Sequence, residues 1–78
     1  MRETILKILT EVLEENSADI YLIENDEDLI HYNLNSIKSI HLIIHLEDEF
    51  GIEVNDEDLL FENFNTVEKI INIIRKNQ

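Results

Sequence analysis

The sequence predicts an all-α fold: a small four-helix bundle of three main helices and a short third one, with a long loop between the first and second. Three observations predict it. The 78 residues include no proline and a single glycine, Gly51, which removes the usual punctuation of a β-rich chain and favours helices joined by asparagine- and aspartate-bearing loops. Apolar residues recur at spacings of three and four in three separate segments. With 44% apolar residues, the chain also has too much to bury for a disordered acidic tail, even at a formal net charge of -12.

In the first segment Ile5, Ile8, Leu9, Val12 and Leu13 alternate with charged residues, so roughly residues 2 to 15 form an amphipathic helix with one core face. Asn16, Ser17, Ala18 and Asp19 break that pattern. A long connection to Asn35 follows, carrying Ile20, Leu22, Ile23, Leu29 and Ile30; those apolar residues predict a loop pinned to the core. Asn35 is suited to cap a second helix from Ser36 to Phe50, which Gly51 ends as the left-handed residue just beyond it. Asn55 is placed to cap a short acidic turn through Asp56, Glu57, Asp58, Leu59 and Leu60. Either Asn65 or Thr66 caps the last helix, through Val67, Ile70, Ile71, Ile73 and Ile74 to Arg75 and Lys76, where cations suit the helix dipole. With Asn65 as the cap, Glu68 completes a capping box.

The length fits one domain, residues 1–78, with a small core. There is no cysteine, hence no disulfide and no thiolate metal site, and any thiol chemistry would have to be brought in. Between Lys7 and Lys69 the only cation is Lys38. A surface so acidic repels nucleic-acid phosphates and anionic lipid and attracts basic protein patches, so the expected partners are cationic proteins, with no nucleic acid and no membrane among them. The opening stretch MRETILKILTEVLEEN is too acidic and too interrupted for a secretion signal, and no run approaches membrane-spanning length. The expectation is a soluble, cytoplasmic, monomeric protein.

The second helix holds more apolar residues than one buried stripe needs. Leu42, Ile43, Leu46 and Phe50 supply the inward face, while Ile37, Ile40 and Ile44 form a second stripe beside it. That stripe is either an exposed contact surface or is covered by the long loop or the final helix. At the start of the same helix, Ser36 lies where unpaired backbone N–H groups and the dipole favour a negative charge. A phosphate ester on its oxygen would be well placed there. No base or oxyanion hole is recognisable around it, since His31 is five residues back and His41 more than a turn along. Ser36 therefore reads either as an acceptor modified by another enzyme or as an ordinary helix-start serine.

The block "NLNSIKSIHLIIHLEDEFGIEVNDEDL" resembles the acyl and peptidyl carrier proteins, whose signature is Asp-Ser-Leu at the start of helix II, then an apolar-rich helix, an acidic run, Phe-Gly-Ile and a second acidic segment. Asn35-Ser36-Ile37 stands for the triplet, and Glu47-Asp48-Glu49-Phe50-Gly51-Ile52-Glu53 follows at the family's distance. The closing "FENFNTVEKIINII" is similar to the family's last loop and helix, so the resemblance spans essentially the whole chain. It implies an acyl-carrier-like bundle in which Ser36 bears 4'-phosphopantetheine, transferred from coenzyme A by a phosphopantetheinyl transferase with magnesium. The arm's thiol would hold the cargo as a thioester and would stand in for the missing cysteine. Ile37, Ile40 and Ile44 would be the contact strip of helix II, with Leu42, Leu46 and Phe50 facing inward.

Two departures bear on partners. Asn35 replaces the usual aspartate and lacks its charge, and Lys38 and His41 occupy positions that are commonly acidic in fatty-acid carriers. Ser-Ile-Lys-Ser-Ile is more similar to the peptidyl branch. The resemblance thus implies a free-standing, non-catalytic carrier of aminoacyl, peptidyl or acyl groups for nonribosomal peptide or related secondary-metabolite synthesis. It would be served by an adenylating or acyl-loading ligase and by condensing or tailoring enzymes, with Asn35, Ile37, Lys38, Ile40, His41 and Ile44 contacting partners. The alternatives are a fatty-acid or polyketide carrier and, in another class, an unmodified acidic helical interaction module. His41 and His45, four apart, have the spacing of metal ligands but lack a convincing third, so no metal site is assigned. Asp26-Glu27-Asp28 and Asp56-Glu57-Asp58 lack the ligand pattern of a calcium loop and read as a capping segment and a solvated, partner-facing surface.

Overall fold

A computed structural model describes all 78 residues. The chain folds as four α-helices with no strand: α1 (Arg2–Leu13), α2 (Ser17–Ile20), α3 (Ser36–Phe50) and α4 (Val67–Lys76), with short 3-10 turns at Leu29–Tyr32, Asp56–Asp58 and Phe61–Asn63. The three long helices are the three predicted. They bury one face each: Ile5, Leu6, Ile8, Leu9 and Leu13 from α1, Leu42, Ile43 and Leu46 from α3, and Val67, Ile70, Ile73 and Ile74 from α4. Phe64, fully buried just before α4, is among the largest side chains sealed in this core.

Helix α1 stops two residues short of the expected end, because Glu14 turns left-handed (φ 56°). The expected loop then contains a helical turn of its own, since the Asn16 side chain accepts from Ala18 N–H and starts α2. The short third helix is realised as two 3-10 turns, and Asn55 makes no side-chain cap there. Thr66 caps α4, accepting from Lys69 N–H at 3.1 Å, so the box between Asn65 and Glu68 does not form. Asn65 serves the long loop with its backbone instead: its carbonyl accepts from Leu29 N–H at 2.8 Å, while Glu68 N–H donates to the Asn25 carbonyl at 3.0 Å.

The loop is pinned as its apolar residues imply, with Ile20, Ile23, Leu29 and Leu34 buried, though Leu22 and Ile30 stay exposed. Polar links supplement them. The Arg2 guanidinium donates to Asn25 Oδ1 and to the Ile23 carbonyl, and Asp28 caps the turn at Leu29–Tyr32 by accepting from Ile30 N–H. Glu27 closes the loop on itself, accepting from Glu24 N–H and from the Tyr32 hydroxyl, both at 2.8 Å.

Those two bonds, the backbone one foremost, hold the Glu27 carboxyl below its ordinary 4.5. A carboxyl depressed on folding lends stability that is complete above its unfolded value and fades as pH falls through the folded one. The Glu27 carboxyl carbon should therefore titrate by NMR at a lower pH than the ordinary value of a glutamate. The Glu24 amide should move with it, and Glu27→Gln should flatten the acid limb of the unfolding midpoint in that window.

The ends of α3 are fixed by local chemistry. Asn35 Oδ1 accepts from Lys38 N–H at 2.8 Å, and Gly51 adopts φ 61°, donating its N–H to the Glu47 carbonyl. Asn35→Ala should cost about 1 kcal/mol in denaturant unfolding. Gly51→Ala should cost about 1–2 kcal/mol, since a Cβ there meets no neighbour and only the left-handed backbone penalises it.

Candidate functional site

Ser36 is the first residue of α3, and the structure leaves it exposed. Its position is set from upstream: Leu34 is buried, its N–H donates to the Leu29 carbonyl, and Asn33 takes a left-handed turn (φ 72°) while its amide donates to Glu15. The chain therefore enters α3 from a tethered point. From downstream, Ser39 is the one buried polar side chain, and its Oγ donates to the Ser36 carbonyl at 2.7 Å. Ser36 Oγ makes no hydrogen bond of its own, and the N–H groups of Ser36 and Ile37 have no protein partner. Asn35 occupies only the Lys38 N–H, so two free donors and the positive end of a 15-residue helix surround one free hydroxyl.

The second stripe of α3 is exposed. Ile37 is 69% accessible, Ile40 56% and Ile44 57%, so neither the long loop nor α4 covers them, whereas Leu42 and Leu46 are completely buried and Phe50 partly so. Among the residues expected beside the stripe, Asn35 and His41 are exposed and Lys38 is half-buried. From Ser36 to Leu46 there is no carboxylate; the acidic residues of α3 begin at Glu47.

One feature of the site was not legible in the sequence. Ser36, Ser39, Ile40, Ile43 and Ile44 form one wall of a groove of 530 Å³, and the segment from Glu53 to Phe61 forms the other. Glu47 joins the two walls: its carboxylate accepts from the buried Val54 N–H at 3.0 Å, and its carbonyl accepts from Ile52 N–H. On the far wall Leu59 and Leu60 remain 42% and 52% exposed, with Phe61 half-buried. The only hint in the sequence is Leu59-Leu60-Phe61, three apolar residues in a row without helical spacing, too short to reveal a partner.

The acidic run within that wall is not wholly solvated as expected. Asp56 and Glu57 are exposed, but Asp58 turns inward and pairs with Lys76 at 2.9 Å, the chain's one ion pair, which raises the Lys76 pKa. Lys69 Nζ donates to the Glu62 carbonyl, a second polar link to α4, and Asn63 donates to the Asp58 carbonyl within the segment itself.

No helix is long and apolar enough to cross a membrane. No individual curated protein matches the chain. The model of the family described as the phosphopantetheine attachment site matches residues 3–74, which takes in all four α-helices almost entirely and the exposed serine at the head of α3. A match over nearly the whole chain, on a strandless helical bundle of this order, shows that the chain belongs to the phosphopantetheine attachment family of acyl and peptidyl carriers, domains to which 4'-phosphopantetheine is covalently joined and which work with a phosphopantetheinyl transferase and partner enzymes.

Proposed function

We propose that Ser36 is the attachment residue and that the 78 residues act as one non-catalytic carrier unit of the peptidyl branch, holding aminoacyl, peptidyl or related acyl intermediates for nonribosomal peptide or other secondary-metabolite synthesis. The observation that carries the reading is the free, exposed Ser36 hydroxyl beside two unpaired N–H groups. The residues fit the group. A phosphodiester on Ser36 Oγ would put an anion at the positive end of α3, where the Ser36 and Ile37 N–H groups are donors without a competing acceptor. Asn35 caps the helix without adding a negative charge to that spot, and Lys38, two residues on, adds a positive one to the same first turn. Once bound, the arm supplies a thiol that holds cargo as a thioester, chemistry the cysteine-free chain cannot supply itself.

The same helix favours the peptidyl branch. Ser36-Ile37-Lys38-Ser39-Ile40 and the acid-free stretch to Leu46 are unlike the acidic second helix of fatty-acid carriers and favour enzymes that read an apolar strip: a loading, adenylating ligase and condensing or tailoring partners. Ile37, Ile40 and Ile44 are the anchors of that contact in this reading, with Asn35, Lys38 and His41 at its rim.

Incubation with coenzyme A, magnesium and a promiscuous phosphopantetheinyl transferase should raise the intact mass by one arm, and Ser36→Ala should remove the gain while leaving the fold unchanged. A wild-type chain that stays at its starting mass would leave only an acidic interaction module. Ile40→Glu should keep its helicity and lie within about 0.5 kcal/mol of wild type in stability, because the side chain is exposed. Its loading by a cognate ligase should fall roughly tenfold, the scale of an interface anchor; equal losses of fold and loading would place Ile40 in the core instead.

A further inference from the structure

The exposed surface of α3 divides into bands of different character. At about 100° per residue, Ile40, Ile44 and Ile37 share one band, and His41, His45 and Lys38 follow beside it before the buried arc of Leu42, Leu46 and Ser39 begins. On the other side of the isoleucines come Ser36 and Glu47, and across the groove stand Glu53 and Asp56. The band with Lys38 and the two histidines runs for about 10 Å at the rise of an α-helix, until Asp48 and Glu49 close it in the last turn.

Lys38 differs from most cations of the chain. Asp and Glu number 18, yet its ammonium makes neither an ion pair nor a hydrogen bond. Lys76, Lys69 and Arg2 each hold an acceptor within the fold, namely Asp58, the Glu62 carbonyl and the Ile23 carbonyl. The carboxylates on the other side of the strip are also without a Lys or Arg partner: Glu47 spends one oxygen on Val54 N–H, and the Glu53 and Asp56 side chains accept no hydrogen bond. Unpaired charge of opposite sign therefore borders the isoleucine strip on its two long sides.

We infer that these borders set the direction in which a partner docks: the surface that covers Ile37, Ile40 and Ile44 carries a carboxylate over Lys38 and His41 and cations over Glu47, Glu53 and Asp56. The inference rests on the reading that the isoleucine strip is the partner contact. Charge complementarity decides the occupant. A surface with cations on both flanks gains on the groove side and is repelled at Lys38, and one with carboxylates on both flanks meets the reverse; only opposed flanks satisfy both borders. The fit also has one sense, because turning such a partner end for end brings like charges together on both sides. The pairs are exposed and weakened by salt, so they act on register more than on affinity.

The test uses the whole unprimed chain and so does not depend on Ser36 as the attachment residue. The probe is a stapled amphipathic helix of zero net charge, with a leucine stripe, glutamates along one flank and lysines along the other. Its binding, followed by amide resonance shifts, should centre on the exposed face of α3 and weaken strongly in Ile40→Glu. Unchanged binding in that variant would sink the strip as the contact, a failure distinct from that of the borders. Lys38→Glu should weaken the probe about threefold, the scale of an exposed pair, and Lys38→Gln by less. A second probe with lysines on both flanks should instead bind Lys38→Glu more tightly. Glu53→Gln/Asp56→Asn should weaken the zero-charge probe from the other side, whereas Lys7→Glu, an equal charge change at an exposed position of α1, should leave it unaffected. A nitroxide at the N-terminus of the zero-charge probe should broaden amides at one end of α3, and exchanging its two flanks should carry the broadening to the other end. Equal effects of Lys38→Glu and Lys7→Glu would overturn the inference, as would broadening at the same end for both flank orders, or no binding up to about 1 mM. If Lys38→Glu fails to fold, Lys38→Gln and the broadening on wild type decide alone.

Discussion

The hydrogen bond from Lys38 N–H to Asn35 Oδ1 is the constraint on which the site depends, because it decides where α3 begins. A helix that began one residue earlier would draw Ser36 inside its first turn, and one that began later would leave Ser36 in the loop. With Asn35 as the cap, Ser36 is the first helical residue, and its hydroxyl shares the end of the helix with two N–H groups that no carbonyl can reach. The choice of asparagine also matters electrostatically. A carboxylate in its place would cap equally well but would set a negative charge against the positive end of the dipole, where the amide sets none. Ser39, buried and bonded to the Ser36 carbonyl, and Leu34, buried just upstream, keep this end from fraying.

A chain of 78 residues does not enclose a helix on every side. Helix α1 packs on the inner face of α3, α4 and Phe64 fill the remaining core, and no further element is left for Ile37, Ile40 and Ile44. The far wall approaches but does not close over them: Glu47 ties its near end to α3 through Val54 N–H, while Asp58 to Lys76 and Glu62 to Lys69 tie its far end to α4. Between them lies an apolar groove that has Ser36 among its lining residues. The same shortage of covering surface thus produces both the exposed isoleucine strip and the groove beside it.

The parts of this arrangement that were legible in the sequence are the ones fixed within a few residues. Asn35 and Gly51 bound α3 because capping and the left-handed turn are local events, and the two apolar stripes arise from helical periodicity alone. The exposure of the second stripe could be posed as a question but not answered, since the answer depends on what α4 and the long loop cover. The start of α4 was undecided for a related reason. Asn65 and Thr66 are both good caps, and the choice fell to Thr66 while the Asn65 carbonyl paired with Leu29 N–H, thirty-six positions away. The groove was out of reach altogether: it joins Ile40 to Leu59 and Glu47 to Val54, pairings that neither spacing nor composition encodes. Asp58 likewise reads as one of three solvated acids until the fold brings Lys76 to it.

Charge acts on two length scales in this molecule. At -12, the whole chain attracts any basic surface over distances near the Debye length, about 8–10 Å at moderate salt. That attraction carries little information about orientation, because acidic residues occur from Glu3 to Glu68. Within contact distance the field changes character. From Ser36 to Leu46 an approaching surface meets Lys38, two histidines and three exposed isoleucines, with no carboxylate until Glu47. A partner patch that is basic throughout would be drawn to the protein yet opposed at Lys38, whereas one that is basic at its margin and apolar at its centre would satisfy both scales. The acid-free window around Ser36 would therefore act on such a partner as an orientation filter, distinguishing the face that presents the hydroxyl from the acidic remainder of the surface.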